Sequence, residues 1–321
     1  MNMNRFSHID IAKGIGILAV IGLHTGFHVE AWIGWEMPLF FFLSGVFANP
    51  NKKRFILSRV NRLLIPACFF YVPIFLYNCA YYWIHKDVIS LYDSFANCAI
   101  PSALWFLIAL FYISIIHKLI FRLLKNKLIH VIIALLFFVV GYMLSYWRVP
   151  QYAFVNTSIT SCSYYLFGNL FSSEVKRMES CKGYVSFIVG ILCLLASYFL
   201  YNTDDNNYIF YRNNELNAYI YIVMFVAIFG ILGILMISVA CSRIKILSNI
   251  FSYFGKNSLL ILCSHLYVLK IIQFCHLFSV LQFGIVVACM PLAIYLLKRF
   301  FPRLSGCQPL IKYTHNEEIT H

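Results

Sequence analysis

Residues 10–26, DIAKGIGILAVIGLHTG, form an apolar segment that nevertheless carries Asp10, Lys13 and His24. Apolar residues fill most other positions, and four glycines lie among them. A run of this length is typical of a transmembrane helix. Ionisable groups inside such a helix are costly and usually face a polar cavity. The segment therefore predicts a membrane helix whose role goes beyond anchoring.

The composition extends this interpretation to the whole chain. Of its 321 residues, 61% are hydrophobic and only 12% are charged, whereas soluble domains are roughly a quarter charged. Ten apolar segments are predicted to cross the membrane, at 10–29, 35–48, 65–84, 102–121, 128–147, 154–171, 184–201, 217–240, 258–276 and 280–300. The sequence thus predicts an all-α polytopic membrane protein with about ten transmembrane helices.

The charge distribution predicts the orientation. Lys86, Arg148, Arg212 and Lys270 lie apart from the other 21 of the 25 Lys and Arg residues, which fall in the two terminal segments and in alternate loops. Cytoplasmic loops are enriched in Lys and Arg, so both termini are predicted to be cytoplasmic. Topology explains the net charge of +13, and nucleic acid is excluded as a partner.

The cysteines do not indicate a metal centre. Eleven are scattered through the chain, mostly within apolar segments, and none forms a C-x-x-C pair. Buried free cysteine behaves as a small hydrophobic residue. We therefore predict no metal site.

Lys13 and His24 are separated by a spacing that places them on one helical face. Eleven residues correspond to about three turns and about 16 Å along the axis. Lys13 is either an interfacial anchor or a phosphate ligand. His24 is either a helix–helix hydrogen-bonding group or a proton acceptor, as imidazole suits general base chemistry near neutral pH. Acyl-coenzyme A, with a phosphate-rich head and a thin reactive arm, would fit this pair.

Further candidate residues follow along the chain. Arg59 and Arg62 are three residues apart, so on a helix they would face one way and could bind phosphate oxygens in a bidentate manner. The alternative is that this basic loop only sets the orientation of the chain in the membrane, as most such loops do. Trp105 is either an interfacial aromatic or a pocket wall. His265 is either a packing residue or a reactive group, while His117 and His130 are expected to be structural.

The longest outer loop, YNTDDNNYIFYRNNELN at 201–217, is polar with interleaved aromatics. It predicts a solvated hairpin between two spans. The alternative is a rim that contacts a sugar, because tyrosine stacks on sugar faces while Asp and Asn bind hydroxyls.

Four motifs occur in order, namely IDIAKGIGILAVIGLH (9–24), MPLFFFLSG (37–45) followed by SRVNRLLIP (58–66), LWFLIAL (104–110) and GKNSLLILCSHL (255–266). In these the chain resembles the integral-membrane acyltransferase family 3, whose members O-acylate sugars of bacterial surface polysaccharides. The resemblance implies a ten-helix core that takes acyl groups, usually acetyl, from cytoplasmic acyl-CoA. His24 and Lys13 match the family's required histidine and the basic residue before it, which is often Arg. Asp10 matches its acidic residue, and Arg59 and Arg62 match its arginines.

The resulting prediction is a multi-pass O-acyltransferase of a bacterial inner membrane. It would move an acyl group from acyl-CoA to a sugar hydroxyl of a cell-surface polysaccharide or its lipid-linked precursor. No permanently bound cofactor is expected, acetyl-CoA being a co-substrate, and a homo-oligomer is left open. Residues 1–304 would form the acyltransferase domain and 305–321 a short cytoplasmic tail. The predicted catalytic residues are His24 and Asp10, and the predicted substrate-binding residues are Lys13, Arg59, Arg62, Trp105 and His265.

Two other classes of protein remain open at this point. A transporter or flippase for a lipid-linked sugar would explain the spans and the buried histidines, but not the Lys13–His24 spacing. A structural membrane subunit would tolerate replacement of His24 or Arg62.

Overall fold

The computed structural model describes residues 6–27, 34–85, 103–124, 126–273 and 275–311. Its helices are α1 (Ser7–Thr25), α2 (Glu36–Val46), α3 (Phe55–Arg59), α4 (Ile65–His85), α5 (Trp105–Leu123), α6 (Lys127–Tyr146), α7 (Val155–Leu170), α8 (Ser172–Arg177), α9 (Gly183–Tyr201), α10 (Ile220–Ser242), α11 (Lys245–Lys256), α12 (Ser258–Gln273) and α13 (Ser279–Phe300). A π-helical turn, Val60–Leu64, joins α3 to α4. A small antiparallel hairpin of β1 (Tyr208–Phe210) and β2 (Glu215–Asn217) precedes α10.

A helix lies at each of the ten predicted spans, and the all-α prediction is confirmed. Within the described residues, seven helical segments are long and apolar enough to cross a membrane: Ser7–Thr25, Phe55–Pro73, Trp105–Leu123, Lys127–Tyr146, Gly183–Tyr201, Ile220–Ser242 and Ser279–Phe300. The pair α11 and α12 makes an eighth if it forms one span, although a bend of 78° separates the two helices. Both chain termini, predicted to be cytoplasmic, fall outside the described residues.

Besides α12 of the bent pair, two of the predicted spans are shorter helices. With 11 and 16 residues, α2 and α7 extend about 16 and 24 Å, less than the roughly 30 Å of a hydrocarbon core. Helix α7 is also polar, because several of its serine and threonine hydroxyls are buried. Ser158 and Ser163 donate to the carbonyl oxygens of Phe154 and Thr160, each at 2.6 Å, so these groups are satisfied inside the protein.

Helix α2 crosses α7 at two glycines. A Cβ atom on Gly45 would lie 2.0 Å from the carbonyl oxygen of Tyr165, and one on Gly168 would lie 1.9 Å from that of Phe42. Such contact between backbones requires small residues. The two glycines therefore fix how closely these interior helices approach.

The first predicted span is the central helix of the fold. Helix α1 packs against α2, α10, α11, α12 and α13. Its crossing with α11 is the closest of these approaches, because a Cβ on Gly14 would lie 2.0 Å from the Phe251 carbonyl oxygen and one on Gly255 would lie 1.7 Å from that of Asp10. This crossing fixes the height at which α12 begins beside α1.

The fold has two distinct ends. At one end, which we call the basic end, the Nζ atom of Lys13 lies over the Phe47 ring, and Ser172 Oγ donates to the Val46 carbonyl at 2.8 Å. At the other end, the hairpin end, Leu216 N donates to Ser145 Oγ at 2.8 Å. Helix α1 runs from the basic end, near Ser7, to the hairpin end, near Thr25.

The segment after α13 returns to the basic end. The side-chain oxygen of Asn61 accepts from the backbone N–H groups of Leu310 and Ile311, both at 3.0 Å, and Gly306 packs beside Pro66. The first residues of the predicted tail are thus docked onto the π-helical turn and α4.

Candidate active site

The two histidines of interest meet inside the protein. The ring of His24, in the last turn of α1, lies 5.2 Å from the ring of His265 in α12, with the ring planes tilted by 43°. His265 is fully buried, and its Nδ1 lies 2.9 Å from the Ile261 carbonyl oxygen. A carbonyl only accepts, so Nδ1 carries the proton and Nε2 of the neutral ring presents a lone pair. Within the described residues, Nε2 has no hydrogen-bond partner.

Arg212 brings a positive charge to this histidine pair. It lies in the 3₁₀ turn Tyr211–Asn213 between the two hairpin strands, and its guanidinium interacts electrostatically with His24. Burial lowers the pKa of Arg212, which is the mark of a partly dehydrated cation. The imidazoles of His24 and His265 and the guanidinium of Arg212 thus lie together at the hairpin end.

The turn that carries Arg212 is held firmly in place. Gln151 Nε2 donates to the Arg212 carbonyl at 2.5 Å. Thr157 Oγ1 lies 2.7 Å from the Tyr211 carbonyl oxygen, and the Tyr164 and Tyr211 hydroxyls are 2.8 Å apart. These contacts hold the backbone of the turn against α7 and the segment that precedes it.

Lys13 lies in a cluster of cations at the basic end. Its Nζ is 4.9 Å from the centroid of the Phe47 ring, and Lys176 Nζ is 5.7 Å from the same centroid. Lys13 does not contact His24, because α1 is continuous between them and separates them by about 16 Å. The predicted pair is thus a basic group at one end of a helix and a proton acceptor at the other.

Arg59 and Arg62 lie in different surroundings, although the sequence predicts that they face one way. Arg59 is half-buried, 4.9 Å from the Phe55 ring centroid, and its Nη2 lies 3.5 Å from the Tyr165 hydroxyl. Arg62 is exposed. The π-helical turn Val60–Leu64 explains the difference, because π geometry has a wider turn than the α-helix that the three-residue spacing assumed.

A cavity of about 450 Å³ lies at the basic end. Its lining includes Lys127, Lys176, Ser172 and Ser173. Lys118 adds a further cation nearby, 5.8 Å from the Phe55 ring that Arg59 also covers. This end therefore combines a pocket of ligand size with donors suited to phosphate.

Asp10 lies away from the histidine pair, and Trp105 is packed among other aromatic side chains. Trp105 is buried among aromatic rings, at 6.1 Å from Phe41 and 6.4 Å from Phe154 between centroids. Asp10 lies in the first turn of α1 with its carbonyl against Gly255. It is 14 residues from His24, or about 21 Å along the helix, so its action would be confined to the basic end.

Two residues with unusual surroundings were not singled out as functional candidates. His117 is fully buried between the rings of Phe121 and Tyr165, and neither ring nitrogen has a hydrogen bond of normal geometry within the described residues, although Asn169 lies beside it. Glu36 is 8% exposed, and its Oε2 has no hydrogen-bond partner within the same residues. A carboxyl group in an apolar segment was the available signal for Glu36. His130, which is expected to be structural, has its Nε2 2.9 Å from the Leu124 carbonyl oxygen and also lines the cavity at the basic end.

Comparison with known proteins identifies the family. No curated protein and no solved structure is significantly similar to the chain. The family model described as an acyltransferase domain, acyltransferase family 3, matches residues 6–299 and so spans α1 to α13 almost completely. Because that match covers most of the 321 residues, this chain belongs to the acyltransferase 3 family of membrane proteins.

Proposed function

We propose that this protein transfers an acyl group, acetyl in the simplest case, from cytoplasmic acyl-CoA to a sugar hydroxyl. The acceptor would be a cell-surface polysaccharide or its lipid-linked precursor, and the membrane would be the inner membrane of a bacterium. The observation that carries the proposal is the arrangement along α1, with cations at one end and the His24–His265 pair at the other. Membership of an acyltransferase family favours this chemistry over the transporter and the structural subunit.

The basic end is suited to the head of the coenzyme. Phosphate oxygens bind lysine and arginine strongly, and Lys13, Lys176 and Arg59 all lie at this end. The cavity lined by Lys127 and Lys176 would receive the nucleotide. The basic end is then the cytoplasmic side, which agrees with the enrichment of Lys and Arg in cytoplasmic loops.

The thioester would reach the histidine pair on the thin arm of the coenzyme. Since Lys13 and His24 are about 16 Å apart along α1, a bound head group and a reacting carbonyl can occupy the two ends together. The binding energy of the phosphates would then position the thioester.

In the proposed step, the acceptor oxygen attacks the thioester carbonyl as His24 takes the hydroxyl proton. The tetrahedral intermediate collapses with cleavage of the C–S bond, and the coenzyme leaves as a thiolate that regains the proton from the imidazolium. His24 thus acts as general base and then as general acid. Attack by the imidazole itself, giving an acyl-histidine intermediate, is the alternative route.

Release of coenzyme A tests the proposal. Purified protein in detergent is mixed with acetyl-CoA and glycan extracted from the producing cells, and free thiol is followed over time. Glycan-dependent thiol release above the enzyme-free rate is the expected result. No thiol release together with no binding of coenzyme A would reject the proposal and favour a transporter.

Replacing Lys13 by alanine is expected to raise the KM for acetyl-CoA about tenfold with little change in kcat. Loss of one charge-assisted contact to phosphate has about this effect, and uniform loss of binding changes KM rather than kcat. Lys13→Arg should retain most of the affinity.

Lys52→Ala is the matched control for this substitution. Lys52 is exposed in the turn that follows α2, and its replacement should leave the KM unchanged. If Lys13→Ala also leaves the KM unchanged, Lys13 is a membrane anchor and the assigned phosphate site is wrong.

A further inference from the structure

A large polar cavity lies at the hairpin end, opposite the proposed coenzyme site. Its volume is about 1020 Å³, and it lies between the end of α6 with the loop that follows and the hairpin. Ligand pockets for small molecules usually measure about 300–1,000 Å³. The space is therefore sufficient for a ligand of several sugar rings.

The cavity has the chemical character of a carbohydrate site. Tyr146, Tyr208 and Tyr219 line it with about half or more of their surface exposed, at 70%, 48% and 63%. Exposed tyrosines of this kind offer flat apolar faces together with a hydroxyl. Asn206 and Asn217 line the same cavity, and carboxamides both donate to and accept from sugar hydroxyls.

The walls of the cavity are strained and firmly held. Within the described residues, six non-glycine residues have positive φ, and four of them line the cavity: Arg148 (50°), Ala153 (47°), Phe154 (64°) and Asn214 (56°). Two hydrogen bonds fix the side chain of Asn214. Its oxygen accepts from the Thr160 hydroxyl at 2.6 Å, and its nitrogen donates to the Gly141 carbonyl at 2.9 Å. Left-handed residues of this kind are costly, persist only where the surroundings impose them, and cluster at ligand clamps.

Arg212 is the lining residue that connects the cavity with the histidine pair. This residue lines the cavity, and its guanidinium interacts electrostatically with His24. The formal charges of the lining residues balance, since Arg148 and Arg212 are opposed by Asp204 and Glu215. A ligand in this cavity is thus expected to be uncharged overall, and its part that contacts Arg212 is expected to lie nearest to His24.

We propose that this cavity binds the acceptor, a neutral oligosaccharide, so that its hydroxyl approaches His24 from the face opposite the coenzyme site. The inference rests on the proposed acyl transfer and adds to it the side and the residues of acceptor binding. Tyr146, Tyr208 and Tyr219 stack on the sugar rings, and Arg212 holds the ring that is acylated.

Kinetic analysis of Tyr146→Ala/Tyr208→Ala tests the site. The double substitution is expected to raise the KM for glycan about tenfold through loss of aromatic stacking, with an unchanged KM for acetyl-CoA. Tyr184→Ala is the matched control, because Tyr184 is equally exposed, at 67%, but begins α9 near Arg243 at the basic end. An unchanged glycan KM in the double variant would overturn the proposal.

Sidedness is tested in sealed proteoliposomes. With acetyl-CoA trapped inside and glycan added outside, acetylated glycan is the expected product, whereas little is expected when both are supplied only outside. Transfer that requires both substrates on one side would reject the opposite-face site while leaving the acyltransferase proposal standing. Absence of thiol release in every arrangement, and in detergent, would instead reject the proposed function and this inference with it.

Discussion

Replacement of His24 by alanine is expected to lower kcat for thiol release by about 10²–10⁴-fold, the range found when a general base is removed. His24 is partly exposed, and its ring is 5.2 Å from that of His265. The deletion therefore leaves a small polar space rather than an empty apolar cavity. The protein should elute as a single peak in detergent and bind coenzyme A normally, because the proposed phosphate ligands lie at the other end of α1.

His24→Asn provides a substitution of similar shape that cannot accept a proton in the same way, and it should be equally inactive. His276→Asn is the matched control. His276 is exposed and has φ of 48°, a conformation that asparagine tolerates. Normal turnover in both His24 variants would remove the basis of the mechanism. Loss of turnover in His276→Asn would show that the assay does not distinguish this site from others.

The second large effect concerns the crossing of α1 and α11. Replacement of Gly255 by alanine would place a Cβ 1.7 Å from the carbonyl oxygen of Asp10. The obstruction is backbone, so no side-chain rotation relieves it, and the two helices must move apart. We expect destabilisation of about 3 kcal/mol or more, at or above the upper end for overpacked interiors, and loss of activity as α12 moves away from α1.

Gly284→Ala is the matched control for this substitution. Gly284 also lies in a long apolar helix, α13, but a Cβ there would meet no atom within 4 Å. Because alanine favours helix by about 1 kcal/mol relative to glycine, this variant should be as stable as the parent or slightly more so. The measurement is the fraction of monodisperse protein that remains in detergent after heating. Equal melting of the two variants would mean that the α1–α11 contact does not govern the fold.

The helices could be predicted from sequence because apolar length is a local property. Each of the ten apolar segments coincides with a helix, and even the short α2 was found. The bend after Lys256 and the π-helical turn at Val60–Leu64 were not predicted, because both depend on packing rather than on residue spacing. The π-helical turn also accounts for the different surroundings of Arg59 and Arg62.

The site was predictable only where a motif placed it on one element. Lys13 and His24 share α1, so their separation follows from helical geometry. The partnership of His24 with His265 joins residues 241 positions apart, and no periodicity links such residues. Arg212 was hidden in a loop that predicts a solvated hairpin, although Ile209, Tyr211 and Leu216 of that loop are buried. The position of its turn depends on hydrogen bonds with α7 that the sequence does not reveal.

The most direct test of the account follows the acyl group itself. Purified protein is incubated with acetyl-CoA radiolabelled in its acetyl group and with extracted glycan, and both the free thiol and the label in the glycan are measured. We expect an alkali-labile acetyl ester on the glycan, formed mole for mole with released thiol and dependent on His24. Release of thiol with all of the label recovered as free acetate would contradict it, because the protein would then hydrolyse the thioester without transferring the acyl group.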